Sequence, residues 1–445
     1  MTKRPTESTP AGVPEKAKQV GEARERWPHA KPWIWTDRML TALDTGVKGG
    51  KWFSLIDKVY NPDNLKMAFY QVKANRGRAG VDRVTIEMFE KRLDENITKL
   101  SEDLRKGGYR PQAIRRVWIP KPGSKEKRPL GIPTVRDRVV QTALMAVLEP
   151  IFERDFADQS YGFRPGRGCK DALREVDRRL KNGNVYVVDA DLRSYFDSIP
   201  KDRLLGRVKA KVSDGRVLSL LESYLSQGVL DGLEHWTPER GTPQGAVISP
   251  LLSNVYLDPL DHLMATAGYD MVRYADDFVI LCRSLREAEN ALHVVQTWVN
   301  EAGLSLHPTK TVIVDASRPG GFDFLGYHFE RGHRWPRKKS LKKLKDAIRA
   351  KTKRTNGHSL EMIITDVNRT LKGWFEYFKH SYRRTFPVLD QWIRMRLRSI
   401  LRRRRGLRGR GRGLDHHRWP NAFFAELGLF CTATAWKSAR QSAKR

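Results

Sequence analysis

Short apolar runs that lead directly into acidic residues constrain this chain more than any other feature of its sequence. The run VYVV at 185–188 is rich in β-branched residues, which predicts a short strand buried on both faces. It leads into Asp189-Ala190-Asp191. Two further runs, at 271–274 and 278–281, are joined through Ala275-Asp276-Asp277, which predicts a β-hairpin. The sequence therefore predicts carboxylates at the ends of strands in a sheet.

The acids at these strand ends suit a divalent metal site. Asp191 follows the first strand, and Asp276 and Asp277 lie at the turn of the hairpin. Nucleotide addition needs carboxylates that hold two metal ions ~4 Å apart, one at the attacking hydroxyl and one at the leaving pyrophosphate. Hard oxygen ligands favour Mg²⁺, for which Mn²⁺ can substitute. Paired acids also occur in ordinary hairpin turns, so the pair alone does not identify the chemistry.

The order of the predicted elements defines the fold class. A basic hairpin is predicted over 115–134 with its turn at Pro122-Gly123, and a buried helix follows from 137 to 149, ended by Pro150. Residues 311–315 and 322–329 are expected to complete the sheet that carries the acids. Strands and helices interleave without a regular βαβ rhythm or a glycine-rich nucleotide loop, which favours an α+β fold over a doubly wound one.

The charge of the chain indicates a polyanionic partner. The sequence has 83 Lys and Arg against 51 Asp and Glu, a formal net charge of +32, and nucleic acid is the polyanion that offsets such an excess. No apolar run approaches the ~20 residues that cross a bilayer, so no membrane partner is expected. Cys169, Cys282 and Cys431 are far apart, which argues against a cysteine zinc site or a disulfide framework and fits a reducing cytoplasm.

Basic residues concentrate in three stretches of the chain. The loop at 75–80 combines glycines and arginines and suits contact with a phosphate backbone, although a plain surface turn is equally consistent. Residues 331–357 hold twelve Lys and Arg against one acid, and residues 401–445 hold twelve against two. Between them, apolar residues from 360 to 378 repeat at helical spacing, which predicts a helix whose apolar face lies in the core. After a flexible basic arm, the aromatic residues at 419–430 are expected to form a small fold of their own.

Four motifs in series resemble those of one family. Residues 274–277 (YADD) resemble the YxDD motif of reverse transcriptases, and residues 191–197 (DLRSYFD) resemble their first catalytic motif. The segment 241–254 resembles the motif that lies between these two, and 160–167 (SYGFRPGR) resembles an upstream block of group II intron proteins. Because the order and spacing also agree, the series is highly specific.

The resemblance implies an architecture. Two later blocks of the family are matched at 303–310 and 324–327, so the resemblance covers roughly residues 55–330. It implies a right-hand polymerase with fingers, a palm that carries a small antiparallel sheet, a helical thumb and a basic C-terminal tail. The expected segments are a disordered or partly helical extension at 1–45, fingers at 46–180, palm at 181–330, thumb (maturase domain) at 331–400, and a basic DNA-binding tail at 401–445.

The resemblance also implies catalytic roles, residue by residue. Asp191, Asp276 and Asp277 would bind the two metal ions. Phe196, five residues after the first Asp, would clash with a ribose 2′-hydroxyl and so select deoxynucleotides. A buried core position is the structural alternative for this ring.

Contacts to substrate and nucleic acid follow from the same resemblance. Lys121 and Arg128, on the two arms of the basic hairpin, would hold the incoming triphosphate, and Gln244 would touch nucleotide and template. Further RNA or DNA contacts are expected at thirteen basic residues: Arg76, Arg78, Arg164, Lys310, Arg337, Lys338, Lys339, Arg369, Lys372, Arg402, Arg403, Arg404 and Arg405.

Two features resemble the group II intron lineage within the family. Residues 368–378 resemble the maturase-specific segment that grips intron RNA, and 74–82 resemble an extra N-terminal loop; retroviral enzymes lack both. After Arg412 there is no paired-cysteine cluster and too little chain for an HNH endonuclease, which departs from the longest members. We therefore expect a form without that endonuclease, which primes from an existing DNA end.

The implied function is that of a reverse transcriptase encoded by a bacterial group II intron. Such a protein assists splicing of its intron RNA and copies it by target-primed reverse transcription during intron mobility. The expected partners are group II intron RNA, an RNA template, a DNA primer or target and deoxynucleotides, in the bacterial cytoplasm near the nucleoid. Alternatives are a domesticated relative in CRISPR adaptation, phage defence or repair, and a splicing-only RNA-binding maturase. An intact acidic triad disfavours the last of these.

Overall fold

The computed structural model describes residues 24–120, 127–411 and 413–442. Helices alternate with small sheets throughout these segments, which confirms the α+β class. The chain divides into two compact units. The first comprises residues up to 168 together with 191–277 and 293–308, and the second comprises 169–190, 278–292 and 309 onward.

The elements are named in chain order. The helices are α1 (Asp37–Thr45), α2 (Ile56–Val59), α3 (Pro62–Ala74), α4 (Ile86–Glu90), α5 (Leu93–Lys106), α6 (Val135–Glu153), α7 (Cys169–Lys181), α8 (Tyr195–Ser198), α9 (Lys201–Lys209), α10 (Gly215–Leu225), α11 (Ser249–Thr266), α12 (Leu285–Glu301), α13 (Lys338–Lys351), α14 (Leu360–Phe378), α15 (Thr385–Arg404), α16 (Asp415–Arg418), α17 (Asn421–Glu426) and α18 (Thr432–Ser442). The strands are β1 (Ile114–Pro120), β2 (Lys127–Ile132), β3 (Tyr186–Asp191), β4 (Val229–Asp231), β5 (Glu234–Trp236), β6 (Asp270–Tyr274), β7 (Asp277–Cys282), β8 (Val312–Asp315), β9 (Phe322–Phe324), β10 (Tyr327–Glu330) and β11 (His333–Pro336). Among these helices, none is both long and apolar enough to span a membrane.

Helix α6 forms the core of the first unit and runs past its predicted end. It begins where the Thr134 side chain accepts a hydrogen bond from the Asp137 backbone N–H, and it continues through Pro150 to Glu153. Pro150 has no N–H to donate to the Ala146 carbonyl one turn earlier. The indole N–H of Trp35 donates to that carbonyl instead, at 3.1 Å. The expected stop at Pro150 is therefore wrong, because a distant tryptophan satisfies the exposed carbonyl.

The predicted basic hairpin is confirmed in the first unit. Strands β1 and β2 pair antiparallel, with Ile119 opposite Arg128. The sheet has the order β2-β1-β4-β5, in which β1 and β4 are parallel. The turn predicted at 122–123 lies outside the described residues.

Strand β3 carries the first acid of the sequence motif. In the second unit, β3 pairs antiparallel with β8, with Val187 opposite Val314, and both Val187 and Val188 are fully buried. A strand covered on both faces needs apolar residues at successive positions, which is the pattern of this run. The strand ends at Asp191, and β7 begins at Asp277. The acids therefore lie at strand ends, as predicted.

The segment expected to complete that sheet takes a different position in the second unit. Strands β9, β10 and β11 form a separate antiparallel sheet, so the expectation for 322–329 is wrong. Leu325 and Gly326 join β9 to β10, and both have positive φ, at 45° and 84°. A two-residue connection of this kind returns the chain on itself as a tight hairpin, which then pairs with β11.

The C-terminal segment packs against the three long helices that precede it. Helices α13, α14 and α15 share one apolar cluster, which includes Val367, Leu371 and Ile393. Phe424 is fully buried in the same cluster, and Trp419, Phe423 and Phe430 pack against it. The expected small separate fold is therefore wrong, because these aromatic rings complete the core that α14 and α15 begin.

Candidate active site

The backbone beyond Asp191 is held by a second segment of the first unit. The His307 N–H donates to the Asp191 carbonyl at 2.7 Å, and the Arg193 N–H donates to the Ser305 carbonyl at 2.9 Å. The two segments form an antiparallel bridge between Leu192 and Leu306. The later sequence block at 303–310 thus fixes the backbone that presents the first acid.

The turn that carries Asp276 has an unusual backbone. Ala275 and Asp276 join β6 to β7, and Ala275 has φ at +61°. Residues with a Cβ adopt this left-handed conformation at a cost, so the surrounding structure must hold it. The Arg273 guanidinium donates to the Ala275 carbonyl at 2.8 Å. This contact fixes the peptide that presents the acid pair.

Arg273 is the buried centre of a polar network in the first unit. Its side chain and that of Asp261 are both 0% exposed, and they pair through two hydrogen bonds of 2.7 and 2.5 Å. It also donates to Asn254 Oδ1 at 3.0 Å and to Ser160 Oγ at 2.8 Å. Burial acts to lower the pKa of Arg273, but the charge and hydrogen bonds of Asp261 outweigh it and the pKa is raised. The guanidinium therefore stays charged.

Sequence reasoning missed Arg273. The run at 271–274 is apolar apart from this arginine, and the two residues before it are buried as expected. A lone arginine inside an apolar strand was the available signal, because a buried guanidinium requires a partner and usually anchors a polar network. Asp261 lies on α11, where no motif pointed to it.

Three sequence motifs meet at the turn. The Gly162 carbonyl accepts a hydrogen bond from the Asn254 side-chain amide at 2.8 Å, and the Asn254 Oδ1 accepts one from Arg273. A Cβ at Gly162 would lie 2.3 Å from the backbone nitrogen of Ala275, so only glycine fits against this peptide. The blocks at 160–167, 248–254 and 274–277 are therefore in direct contact within the first unit.

Tyr195 links the first catalytic motif to the same network. Its hydroxyl donates to the Ser253 carbonyl at 2.7 Å, and Ser253 precedes Asn254 in α11. Burial raises the pKa of Tyr195, and the charge of Asp276 raises it further, while the Ser253 contact and Arg273 oppose the shift.

The acids at the site suit a hard divalent cation. Asp191, Asp276 and Asp277 are half-buried, so water and substrate can reach them while the site is partly screened. Within the part of the chain that the structure describes, no group of three or more His, Cys, Asp or Glu side chains is placed to hold a metal ion. Mg²⁺ is usually held by one or two carboxylates together with waters and substrate phosphates, so these oxygen donors fit it.

The segment at 241–245 joins the motif around Phe196 to the basic hairpin. The Thr242 N–H donates to the Phe196 carbonyl at 2.7 Å, and the Gln244 carbonyl accepts the Gly131 N–H at 2.6 Å. Phe196 is half-buried, with its ring 5.5 Å from that of Tyr195. The structure thus brings Phe196 and Gln244 into one region with β2, on which Arg128 is exposed. Lys121 lies outside the described residues.

The basic residues expected at a nucleic-acid surface differ in exposure. Ten of them are exposed: Arg76, Arg78, Lys310, Lys338, Lys339, Arg369, Lys372, Arg403, Arg404 and Arg405. Arg337 and Arg402 are half-buried, and Arg402 pairs with the buried carboxylate of Asp415 at 2.8 Å. Arg164 is buried, and its guanidinium forms a bidentate pair with Glu153 and donates to the Ala157 carbonyl. The expectation for Arg164 is corrected, because its donors are used inside the protein.

Sequence comparisons agree with this geometry. The profile of the family described as "Reverse transcriptase (RNA-dependent DNA polymerase)" matches residues 119–329. The profile described as "Group II intron, maturase-specific domain" matches residues 341–419. These two matches together place the chain in the reverse transcriptase class of proteins.

Individual relatives narrow the assignment. Protein YkfC of Escherichia coli K12 is 35% identical over 291 residues, which are 57% of this chain and 76% of that protein. The group II intron-encoded protein LtrA of Lactococcus lactis is 38% identical over 202 residues, 45% of this chain and 33% of LtrA. A partial Cas6-RT-Cas1–Cas2 complex is similar at 26% identity and a TM-score of 0.34, over 56% of this chain and 41% of that one. The chain belongs to the group II intron-encoded family of reverse transcriptases, and it spans about a third of LtrA.

Proposed function

We propose that this protein is an RNA-directed DNA polymerase that extends a DNA primer on an RNA template. The observation that carries the proposal is the fixed Ala275-Asp276 turn, supported by Arg273, in contact with the motifs of the first unit. Asp191, Asp276 and Asp277 would hold Mg²⁺, or Mn²⁺ in its place. The metal would supply charge stabilisation at the phosphates when bound.

Each residue of the site has a distinct role in the proposed reaction. The hydrogen bonds at Asp191 and Ala275 hold the backbone of the acids in place before substrate arrives. Phe196 would exclude a ribose 2′-hydroxyl, and Gln244 would contact nucleotide and template. Lys121 and Arg128 would bind the triphosphate from the two arms of the hairpin.

We also propose that the protein assists the splicing and mobility of a group II intron RNA. The maturase-specific match over 341–419 supports this, as do the exposed basic residues Lys338, Lys339, Arg369 and Lys372. The formal charge of +32 favours association with nucleic acid and thus with the nucleoid. Binding should therefore weaken steeply with salt.

Primer extension on an RNA template with Mg²⁺ and deoxynucleotides tests the enzymatic proposal. We expect Asp276→Asn to lower the rate roughly 10³-fold, because losing several kcal/mol of charge stabilisation costs about tenfold for each 1.4 kcal/mol. RNA binding, measured in parallel, should be unchanged. Asp270→Asn is the matched control, since it makes the same change at the opposite end of β6.

The outcomes separate the two parts of the proposal. Extension by the wild type and by Asp270→Asn, but not by Asp276→Asn, supports the polymerase and its metal site. Extension by Asp276→Asn at the wild-type rate contradicts the metal assignment. If no variant extends but all bind RNA, the protein is better explained as a splicing cofactor with a polymerase fold.

A further inference from the structure

An open cleft in the second unit carries a strong positive charge. It has a volume of about 580 Å³ and lies between α7, the turn after β10, the connection from α14 to α15, and α18. Five cations line it, Lys181, Arg334, Lys379, Arg383 and Arg440, against one carboxylate, Asp177. None of these six residues was expected to have a function from the sequence. A cleft with this balance attracts anions.

The cations of the cleft differ in how far the protein neutralises them. Lys181 pairs with Asp177 at 2.6 Å, and Lys379 pairs with Glu376 at 2.9 Å. Arg334 lies 3.7 Å from the same Asp177 carboxylate and donates to the His380 carbonyl at 3.0 Å. Arg383 and Arg440 are exposed, and neither has a carboxylate within 4.0 Å among the described residues. Two guanidinium groups are thus available to an external anion.

His380 provides a second indication of the positive field. Burial lowers the pKa of His380, and the charges of Arg334, Lys379, Arg174 and Lys170 lower it further. Protonation of this imidazole is therefore disfavoured, as expected where the neighbouring cations are not fully neutralised. An anion in the cleft would relieve this repulsion.

Aromatic rings line the same cleft. The Tyr382 ring lies 4.4 Å from that of His333 and 5.7 Å from that of Trp335, and its backbone N–H donates to the Arg334 carbonyl. Trp436 on α18 is half-buried, with the Arg440 guanidinium 5.0 Å from its ring. Rings beside cations form platforms on which unpaired bases stack while phosphates meet the charges.

We propose that this cleft binds a single-stranded segment of nucleic acid, with phosphates at Arg383 and Arg440 and a base against Tyr382 or Trp436. The inference rests on the proposed function, because it assumes a protein that handles RNA and DNA. A double helix fits the cleft less well, since its bases are stacked on each other and cannot reach the rings. The cations come from α7, β11, the connection between α14 and α15, and α18, and contributions from four elements favour a strand over a single triphosphate.

Binding of a fluorescent 12-nucleotide single-stranded RNA, followed by anisotropy over a salt series, tests the proposal. We expect Arg383→Gln/Arg440→Gln to bind about tenfold more weakly and to reduce the salt slope by about 1.4, since each lost phosphate contact removes about 0.7 from the slope for single strands. Lys91→Gln/Arg92→Gln is the matched control, with the same loss of charge at exposed positions outside the cleft and outside the basic stretches. Equal losses in the two double variants would overturn the proposal.

The base contact is tested separately. We expect Trp436→Leu to weaken binding about tenfold at an unchanged salt slope, because stacking does not depend on counterions. The same RNA carrying 4-thiouridine should crosslink to the peptides around 382 or 436 in the wild type. Crosslinks only elsewhere would contradict the assignment. Thermal unfolding checks that each variant is folded.

Further experiments identify which kind of nucleic acid binds the cleft. They also separate a failure of the cleft proposal from a failure of the polymerase proposal. Single-stranded DNA, duplex RNA and a deoxynucleoside triphosphate are each added as competitors of the labelled RNA. Duplex RNA or triphosphate that competes as well as a single strand would contradict the strand assignment. Extension of a pre-annealed template and primer at saturating concentration should persist in the cleft variants. If the wild-type protein itself does not extend the primer, the polymerase proposal is wrong.

Discussion

Arginines in the two units of this protein have opposite environments. In the first unit, Arg164 and Arg273 are buried, and each forms a bidentate pair with a carboxylate that also lies inside the unit. In the second unit, Arg383 and Arg440 are exposed at an open cleft. The same side chain thus fixes the backbone of the Ala275-Asp276 turn in one unit and is available to bind a phosphate in the other.

The difference lies in what burial demands of a charge. A guanidinium removed from water needs hydrogen bonds for its donors, so the surrounding carbonyls and carboxylates become fixed in turn. An exposed guanidinium has no such requirement and can bind an anion from outside. Burial, rather than residue type, therefore decides whether an arginine in this chain positions other groups or contacts ligand.

The largest expected effect is at Arg273. We expect Arg273→Met to destabilise the protein by about 3–5 kcal/mol, because it leaves the buried charge of Asp261 without a partner. Primer extension should also fall, since the Ala275 carbonyl loses its donor. Thermal or denaturant unfolding and extension kinetics measure the two effects.

A double variant separates stability from positioning. In Arg273→Met/Asp261→Leu no buried charge remains, so stability should recover in large part. Extension should remain low, and the Mg²⁺ concentration for half-maximal rate should rise, because the turn that carries Asp276 is no longer held. Recovery of both stability and the wild-type Mg²⁺ dependence would show that Arg273 has no positioning role.

The next effect is at Arg164. We expect Arg164→Met to lower the free energy of unfolding by about 2–3 kcal/mol through loss of charged hydrogen bonds to Glu153. RNA affinity and its salt slope should not change in protein that remains folded. A several-fold loss of affinity without loss of stability would restore the sequence-based expectation of an RNA contact.

The smallest effect distinguishes two neighbouring arginines of one run. Arg402→Gln should cost about 1–2 kcal/mol of stability, because Asp415 is almost fully buried beside it. Arg403→Gln should change stability by less than about 0.5 kcal/mol and weaken RNA binding only two- to threefold at moderate salt. Matched unfolding and anisotropy measurements decide this, and identical behaviour of the two variants would contradict it.

Local patterns were sufficient for part of the fold and of the site. The basic hairpin, the strand that ends at Asp191 and the turn at 275–276 follow from alternation, β-branched residues and chain connectivity within a few residues. The helix that passes Pro150 and the separate sheet of β9, β10 and β11 did not follow. The helix depends on Trp35, which is 111 residues from Ala146 in sequence. The sheet depends on which strand β10 pairs with, and β10 pairs with β9 and β11 and not with the sheet of β3 and β8.

The sequence by itself determined the class of chemistry, because the acids at strand ends and the order of the motifs depend only on local sequence and chain order. Only the tertiary structure decided which charges are used within the protein. Asp261 and Asn254 on α11 accept hydrogen bonds from Arg273 of β6, which in turn donates to the Ala275 carbonyl, and Arg164 turns inward to Glu153. Burial is a property of packing between distant segments, so a count of basic residues could not separate these arginines from the exposed ones at the cleft.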